Sequence, residues 1–464
     1  MNWMKEVLKR KDEIIAETQT FLKIKSVLDD ATKEEGAPFG AGIKKALEHL
    51  LHKGEKDGFQ TKNLEGYAGH IEMGEGHEIV GVLCHVDVVP EGDGWTFDPY
   101  GAVIQDGKLF ARGALDDKGP TMAAYYAMKI VKELGLPLSK RVRMIIGTDE
   151  ESDWRCVDHY FKHEEMPDIG FAPDADFPII YAEKGIIDVV LKIDSVCENT
   201  EETYSLKTFS SGRRFNMVPD FAKAVIGKCA DLSELQNSFK QFLQREHLNG
   251  RIYEQQSDVV IELEGISAHA MEPENGRNAG IYLAAFLSTL PLDQRGKGFV
   301  NWISRYFSGD MRGKKLNIAA QDEVSGELTV NAGIISYERE GEKTVGLNIR
   351  YPVTEKGANI QQKLAQLPDS ELVRFSDSAP HYVQKDHPLI RTLQNVYEEQ
   401  TGQKAELIAI GGGTYARSLK AGVAFGPLFP GRSDVAHQKD EYIYIDDLLK
   451  ATAIYAQAIY ELAK

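Results

Sequence analysis

Cysteine is scarce: four in 464 residues, at positions 84, 156, 197 and 229, with no CxxC spacing. That excludes a disulfide framework and a zinc finger, and it suits a reducing compartment. No block of basic residues is present. The 54 Lys and Arg are outnumbered by 71 Asp and Glu, for a net charge of −17, which argues against nucleic acid and anionic membrane surfaces as partners. No apolar run approaches the roughly 18 residues a membrane-spanning helix needs. The first residues, MNWMKEVLKRKDEII, are charged throughout and lack the apolar centre of a signal peptide. Repeats and low-complexity segments are also missing. A cytoplasmic location is expected by elimination. What the chain does have is 42% hydrophobic residues, enough for large cores, and a length that implies two or three domains.

One stretch organises the rest. From Glu78 to Pro120 the chain opens with EIVGVLCHVDVVP and closes on ARGALDDKGP. The opening is too apolar for a surface and reads as a buried, parallel-type strand. His85 and Asp87 stand at its end, and Asp116 and Asp117 follow in a tight turn. Around this stretch the pattern predicts a helix over residues 3–23, another from Gly40 to Lys53, and short strands between Phe59 and Met73. A helix is predicted over Thr121 to Leu134 and a buried strand in RVRMIIGTDEE (Arg141 to Glu151). A short helix over Trp154 to His163 and a third strand in IGFAPDADFP (Ile169 to Pro178) follow. Strand and helix alternate, so the fold class is α/β with a mixed, mostly parallel sheet between helices.

Near Gly185 the texture changes to long β-branched stretches such as SDVVIELEGISAHA, with a hairpin turning at Glu340 to Lys343. Near His381 the α/β pattern returns. There is a helix from Pro388 to Gln400 and a final one from Asp446 to Leu462. The expected organisation is a catalytic domain of residues 1–186 and 381–464 with an inserted α+β lid domain of residues 187–380.

Ligands gather at the carboxyl ends of strands in such sheets. The acids and imidazoles there are His85, Asp87, Asp116, Asp117, Glu150, Glu151, Asp174, Asp176 and His437. Each has a plain structural reading by itself: DD before KG suits a helix cap, and DEE suits a solvated turn. As a set they place many charges at the rim of a hydrophobic sheet, which costs free energy unless a cation compensates them. Two metal ions with a bridging carboxylate form a standard hydrolytic centre, and this set has the oxygen and imidazole ligands for it.

The motifs CHVDVVPEGDGW, RGALDDKGP, GTDEES, PDADFP, FNMVPD, GISAHAMEPENGRNA, LNIRYP and IGGGTYAR, with the His437 segment, span nearly the whole chain. In this order they resemble the aminoacylase/carboxypeptidase family of dinuclear metallopeptidases, and within it the peptidase V-type dipeptidases of bacteria. The resemblance implies that His85 and Asp174 hold one metal, Glu151 and His437 the other, and that Asp116 bridges both across a cis Asp116–Asp117 peptide. It implies that Asp87 orients His85, Glu150 is the general base, and His269 stabilises the oxyanion. Asn216 and Arg350 would contact substrate, Arg350 through its carboxylate-binding fork. The glycine-rich segment with Gly412, Gly413 and Thr414 would offer N–H groups at a helix start. Cys84 and Ala111 stand where the family often has glycine.

The expected activity is therefore cleavage of dipeptides or short peptides from the amino end by a two-metal centre. Zn²⁺ suits the ligands, and Mn²⁺ or Co²⁺ is compatible. The rivals are an N-acyl amino-acid deacylase of the same family and a metal-dependent peptide-binding protein without catalysis. An intact Glu150 argues against the second. The insert is nearly twice the length usual in the family, where the shorter version also pairs two subunits. In peptidase V-like proteins the enlarged insert replaces the second subunit, so a monomer is expected.

Overall fold

Apolar residues with no polar interruption need cover on both faces, and those with period two need it on one; the chain contains a sheet of each kind. The computed structural model describes residues 1–198, 203–227 and 232–464, so Cys229 lies outside the described residues. The chain divides into two compact units. The first comprises Met1–Ala182, Tyr382–Ile408 and Thr414–Lys464, and the second Glu183–His381 and Ala409–Gly413.

The first unit is built on a mixed sheet. Seven of its nine strands run in the order Gln60–Leu64, Ala68–Met73, Arg141–Gly147, Ile79–His85, Ile169–Ala172, Gly422–Ala424, Ile179–Glu183. The centre is parallel: Ile79–His85 pairs with Arg141–Gly147 on one side, bringing His85 opposite Gly147, and with Ile169–Ala172 on the other. The flanking pairs with Ala68–Met73 and Ile179–Glu183 are antiparallel. All seven residues of Ile79–His85 are buried. The helices Lys118–Glu133 and Ile445–Ala463 pack on each other and on the central strands. Most residues of both are buried. Because the three central strands are parallel, His85, the Asp149 turn and Asp174 all emerge at one edge.

The second unit has an eight-stranded sheet of consecutive antiparallel neighbours. Its order is Asn249–Gln255, Asp258–Glu264, Phe221–Gly227, Ser205–Ser211, Thr329–Glu338, Lys343–Tyr351, Gly185–Ile193, Ser370–Ser378. Alternation decides its core: Ile187, Val189, Leu191 and Ile193 turn inward, against Phe299, Ile303 and Leu364 of the covering helices. The hairpin joins Thr329–Glu338 to Lys343–Tyr351, as the sequence predicts.

One predicted helix differs. Residues 3–23 form two, Trp3–Leu8 and Lys11–Leu22, because Arg10 leaves helical backbone at φ −113°, ψ 10°. Its guanidinium bonds the Glu6 carbonyl at 2.8 Å and the Glu133 carboxylate at 2.8 Å. Those contacts hold the break where apolar periodicity shows none.

Candidate metal centre

The acids and imidazoles predicted to act together meet in the first unit. His85 ends its strand fully buried. Its Nε2 lies 3.1 Å from Asp116 Oδ1 and 3.6 Å from Asp174 Oδ1. The other oxygen of Asp116, Oδ2, lies 3.0 Å from His437 Nε2, which is also 3.0 Å from Glu151 Oε1. Asp116 therefore faces one imidazole with each oxygen. Three groups place ligand atoms within 4.8 Å of one another: His85, Asp117 and Asp174; His85, Glu150 and Glu151; Asp116, Glu151 and His437. The Asp116–Asp117 peptide is cis.

Local chemistry explains each placement. Asp87 lies just past the strand. Its main-chain carbonyl is 3.0 Å from His85 Nδ1, nearer than its carboxylate at 3.4 Å. The carboxylate instead accepts the Glu151 N–H at 3.0 Å through Oδ2. Asp87 thus fixes the imidazole mostly through its backbone and fixes Glu151 through its side chain, where sequence reasoning gave it the imidazole alone. Asp149, passed over in the sequence, holds the turn that carries Glu150 and Glu151. It is buried, pairs with Arg155 at 2.9 and 3.1 Å, and accepts the Arg155 N–H at the start of the helix Arg155–His163. An Asp shortly before a helix was the available signal. Asp117 is also fully buried and accepts the His85 N–H at 3.1 Å and the Thr121 hydroxyl at 3.0 Å. Asp176, by contrast, is exposed.

Crowding of like charges sets the electrostatics. Burial and then the charge of Asp116 push Glu151 up to about 7 and Asp174 up to about 6. Burial and the charge of Asp174 push Glu150 well above the carboxylate range. Burial also works to raise Asp116, but the contacts from His437 and His85 outweigh it and lower this group. Hydrogen bonds to Asp116 and Glu151 raise His437 to about 11. Burial opposes charge on His85, yet Asp174 and Asp116 outweigh it and hold the ring well above its ordinary value. Carboxylates driven to keep protons by one another are those that a divalent cation would relieve. Asp117 Oδ1 is buried without a hydrogen-bond partner in the same cluster. The donor set of carboxylate oxygens and imidazole nitrogens fits divalent metal on both counts.

The remaining predicted residues, Thr414 excepted, belong to the second unit. His269 is half-buried in the loop after the strand Asp258–Glu264, and its Nδ1 accepts the Met271 N–H at 3.2 Å. Burial and then the charge of Arg350 lower its pKa. Asn216, exposed, accepts the Ala270 N–H at 2.9 Å through its carbonyl, so the FNMVPD and GISAHA segments run side by side. Arg350 is buried on the strand Lys343–Tyr351. Its Nε donates to Asn348 Oδ1 at 2.7 Å and its Nη1 to the Gly411 carbonyl at 3.0 Å. The glycine segment needs correction. Gly412, Gly413 and Thr414 precede only the single 3₁₀ turn Tyr415–Ser418, and the Thr414 hydroxyl accepts the Ala416 N–H. Without an α-helix there is no macrodipole to draw an anion.

The defining pattern of Peptidase family M20/M25/M40 matches residues 81–461. A Bacillus subtilis protein named "Putative dipeptidase YtjP" is 60% identical over 464 residues, all of both chains. A Staphylococcus epidermidis protein named "Putative dipeptidase" is 42% identical over 476 residues, 99% of each. Human carnosine dipeptidase 1 has a similar fold, with a TM-score of 0.55 at 15% identity over 99% of this chain and 98% of that one. Since the matched span holds His85 at one end and His437 at the other, with every carboxylate of the cluster between them, the chain belongs to peptidase family M20/M25/M40.

Proposed function

We propose that this peptidase is a dinuclear metal-dependent dipeptidase that cleaves dipeptides and short peptides at the amino end. The observation that carries the reading is Asp116, with one oxygen 3.1 Å from His85 and the other 3.0 Å from His437. A carboxylate shared in this way suits a bridge between two ions. His85 and Asp174 would hold one, Glu151 and His437 the other. Zn²⁺ fits these donors, with Mn²⁺ or Co²⁺ as workable substitutes. When bound, the ions supply Lewis acidity and an acidified water.

The chain's own residues do the rest. Glu150 stands among the same groups; burial with the Asp174 charge raises it, and bound cations would offset that rise and leave its carboxylate free to accept a proton. It takes a proton from the attacking water on a carboxylate oxygen and returns it to the leaving nitrogen. Asp87 holds His85 and the Glu151 backbone in register. His269 donates to the oxyanion, Arg350 binds the substrate carboxylate, and Asn216 contacts the substrate beside it. Gly412, Gly413 and Thr414 can contribute backbone N–H groups as a turn. The first unit is the catalytic domain and the second the lid, in a monomer. The relatives' dipeptidase names support the substrate class. The free thiols of Cys84, Cys156 and Cys197 support a cytoplasmic location.

The test is a mass-resolved screen of free dipeptides, C-terminally amidated dipeptides and N-acetyl amino acids against metal-loaded protein. Free dipeptides should be cut, and amidated ones far more slowly. Preference for N-acetyl amino acids would replace this reading with a deacylase. Binding of peptides without turnover would replace it with a capture protein.

A further inference from the structure

Glu441 has no exposed surface, yet it is a carboxylate. Burying such a group is costly unless its oxygens are fully used, and here they are. Oε2 accepts Arg112 Nη1 at 2.6 Å and the Gly113 N–H at 3.1 Å. Oε1 accepts the Leu115 N–H at 2.8 Å and the Asp116 N–H at 3.1 Å. Its main-chain carbonyl also accepts the Ala111 N–H at 3.1 Å. One residue thus gathers the backbone from Ala111 to Asp116, across 325 positions of sequence in the last case. Arg112 is itself buried and donates to the Glu91 carbonyl at 3.3 Å.

The loop has little other freedom. Gly113 sits at φ +84°, and a side chain there would meet Val88. Gly119, in the first turn of the following helix, lies so close to the Ala114 carbonyl that a Cβ would stand 2.0 Å from it. On the other side of Glu441, Asp440 accepts the Thr96 N–H at 2.7 Å and the Thr96 hydroxyl at 2.9 Å. The chain between His437 and Glu441 is therefore anchored three and four residues beyond the imidazole. Asp116 and His437 touch at 3.0 Å; the Asp116 backbone is bonded to Glu441, and His437 lies four residues before it in the chain.

We infer that Glu441 is a positioning residue for the metal centre: its carboxylate sets the Asp116 backbone so that the two Asp116 oxygens face His85 and His437 at once. A bridging carboxylate must satisfy two directions with one side chain, so a small rotation of its backbone spoils both. Sequence gives no hint of this, because Glu441 lies in an ordinary charged run, HQKDEY. The inference rests on the dinuclear reading above.

The test is titration of metal-free protein with Co²⁺, read by its visible absorption and needing no substrate. In Glu441→Gln the amide nitrogen must face backbone or guanidinium N–H groups, so two of the four side-chain bonds are lost. Affinity for both ions should fall about 10–100-fold, the usual effect of losing a supporting partner. The absorption bands should shift, while far-ultraviolet dichroism of the metal-free protein stays native. Glu441→Asp keeps the charge but withdraws it by one methylene, and it should show a smaller loss in the same direction. If Glu441→Gln does not fold, Glu441→Asp decides. Native Co²⁺ affinity and band positions in the folded variants would overturn the inference and leave Glu441 a packing residue. Failure of the unaltered protein to bind two Co²⁺ ions would instead sink the dinuclear reading itself.

Discussion

Removing the metals should leave a protein that loses stability as pH rises from 5 to 7. The perturbation is chelation, and the magnitude follows from the carboxylates. Asp174 keeps its proton to about pH 6 and Glu151 to about pH 7, against ordinary values of 3.8 and 4.5. Between pH 5 and 7 the folded chain therefore binds more protons than the unfolded one. The linkage slope is then negative, so stability falls as pH rises. At 1.36 kcal/mol per unit, these two groups account for about 4 kcal/mol of loss between pH 5 and 7. Glu150 and His85, both raised, act in the same direction. His437, raised to about 11, also loses its contribution as pH climbs above 6.5, but its half-exposed ring is screened by solvent. Asp116 is lowered, so its contribution is lost only in acid below the ordinary carboxylate range and stays constant over this window. Saturating Zn²⁺ or Mn²⁺ should cancel the trend, because the cations replace protons as the compensating charge. Scanning calorimetry of chelated protein from pH 5 to 8, with and without added metal, reads this directly. A shift of about 2–4 °C per kcal/mol is expected at this domain size. A melting temperature of the chelated protein that is flat or rises over this range would refute the charge-crowding argument.

Other perturbations separate the proposed roles. Glu150→Gln should keep both metals and the fold while losing about 10²–10⁴ in kcat, the ordinary weight of a general acid–base group; loss of metal would mean that Glu150 and Glu151 have been interchanged. Asp116→Ala should release both ions together in elemental analysis, since one side chain faces both imidazoles; retention of one ion at full occupancy would end its role as bridge. His269→Ala should lose about 10²–10³ in kcat with metals retained, as expected for an oxyanion donor. Mixing His269→Ala with Glu150→Gln should restore no activity if the site is completed within one chain. Recovery in that mixture would show sharing between subunits.

The parallel centre of the sheet was legible because fully buried strands cannot hide. Ile79–His85 has no polar residue before its last position, and such a run has few other places to go. The second unit was legible as strand-rich from its β-branched stretches and its hairpin turn at Glu340 to Lys343, while the alternation over Ile187 to Ile193 shows its effect only in the folded sheet. Contacts that close over long sequence distances were not legible. The break at Arg10 depends partly on Glu133, and the grip on Asp116 depends on Glu441. No local pattern contains either partner. The glycine run misled because three glycines before a polar segment suit a helix start as well as a 3₁₀ turn. The Thr414 hydroxyl, bonded two residues ahead, belongs to the short turn.

The sharpest limit lies within Asp149, Glu150 and Glu151, three adjacent acids with one composition and three environments. Asp149 is neutralised by Arg155 and holds the turn. Glu151 is fixed at both ends, its N–H on Asp87 and its Oε1 3.0 Å from His437. Glu150 stands beside His85 and Glu151 in the cluster, and its strongest influences are burial and the charge of Asp174. A ligand needs a fixed direction, whereas a proton carrier needs an environment that makes a proton welcome and lets it leave. The first description suits Glu151 and the second suits Glu150. What separates them is the alternation of a tight turn, which sends neighbouring side chains to different partners. Replacing Asp149 by Asn, which weakens the Arg155 pair without touching either glutamate, should therefore disturb metal affinity and the acid–base step together. If only stability changed, the turn would be set by other contacts, and the division of labour between Glu150 and Glu151 would not depend on Asp149.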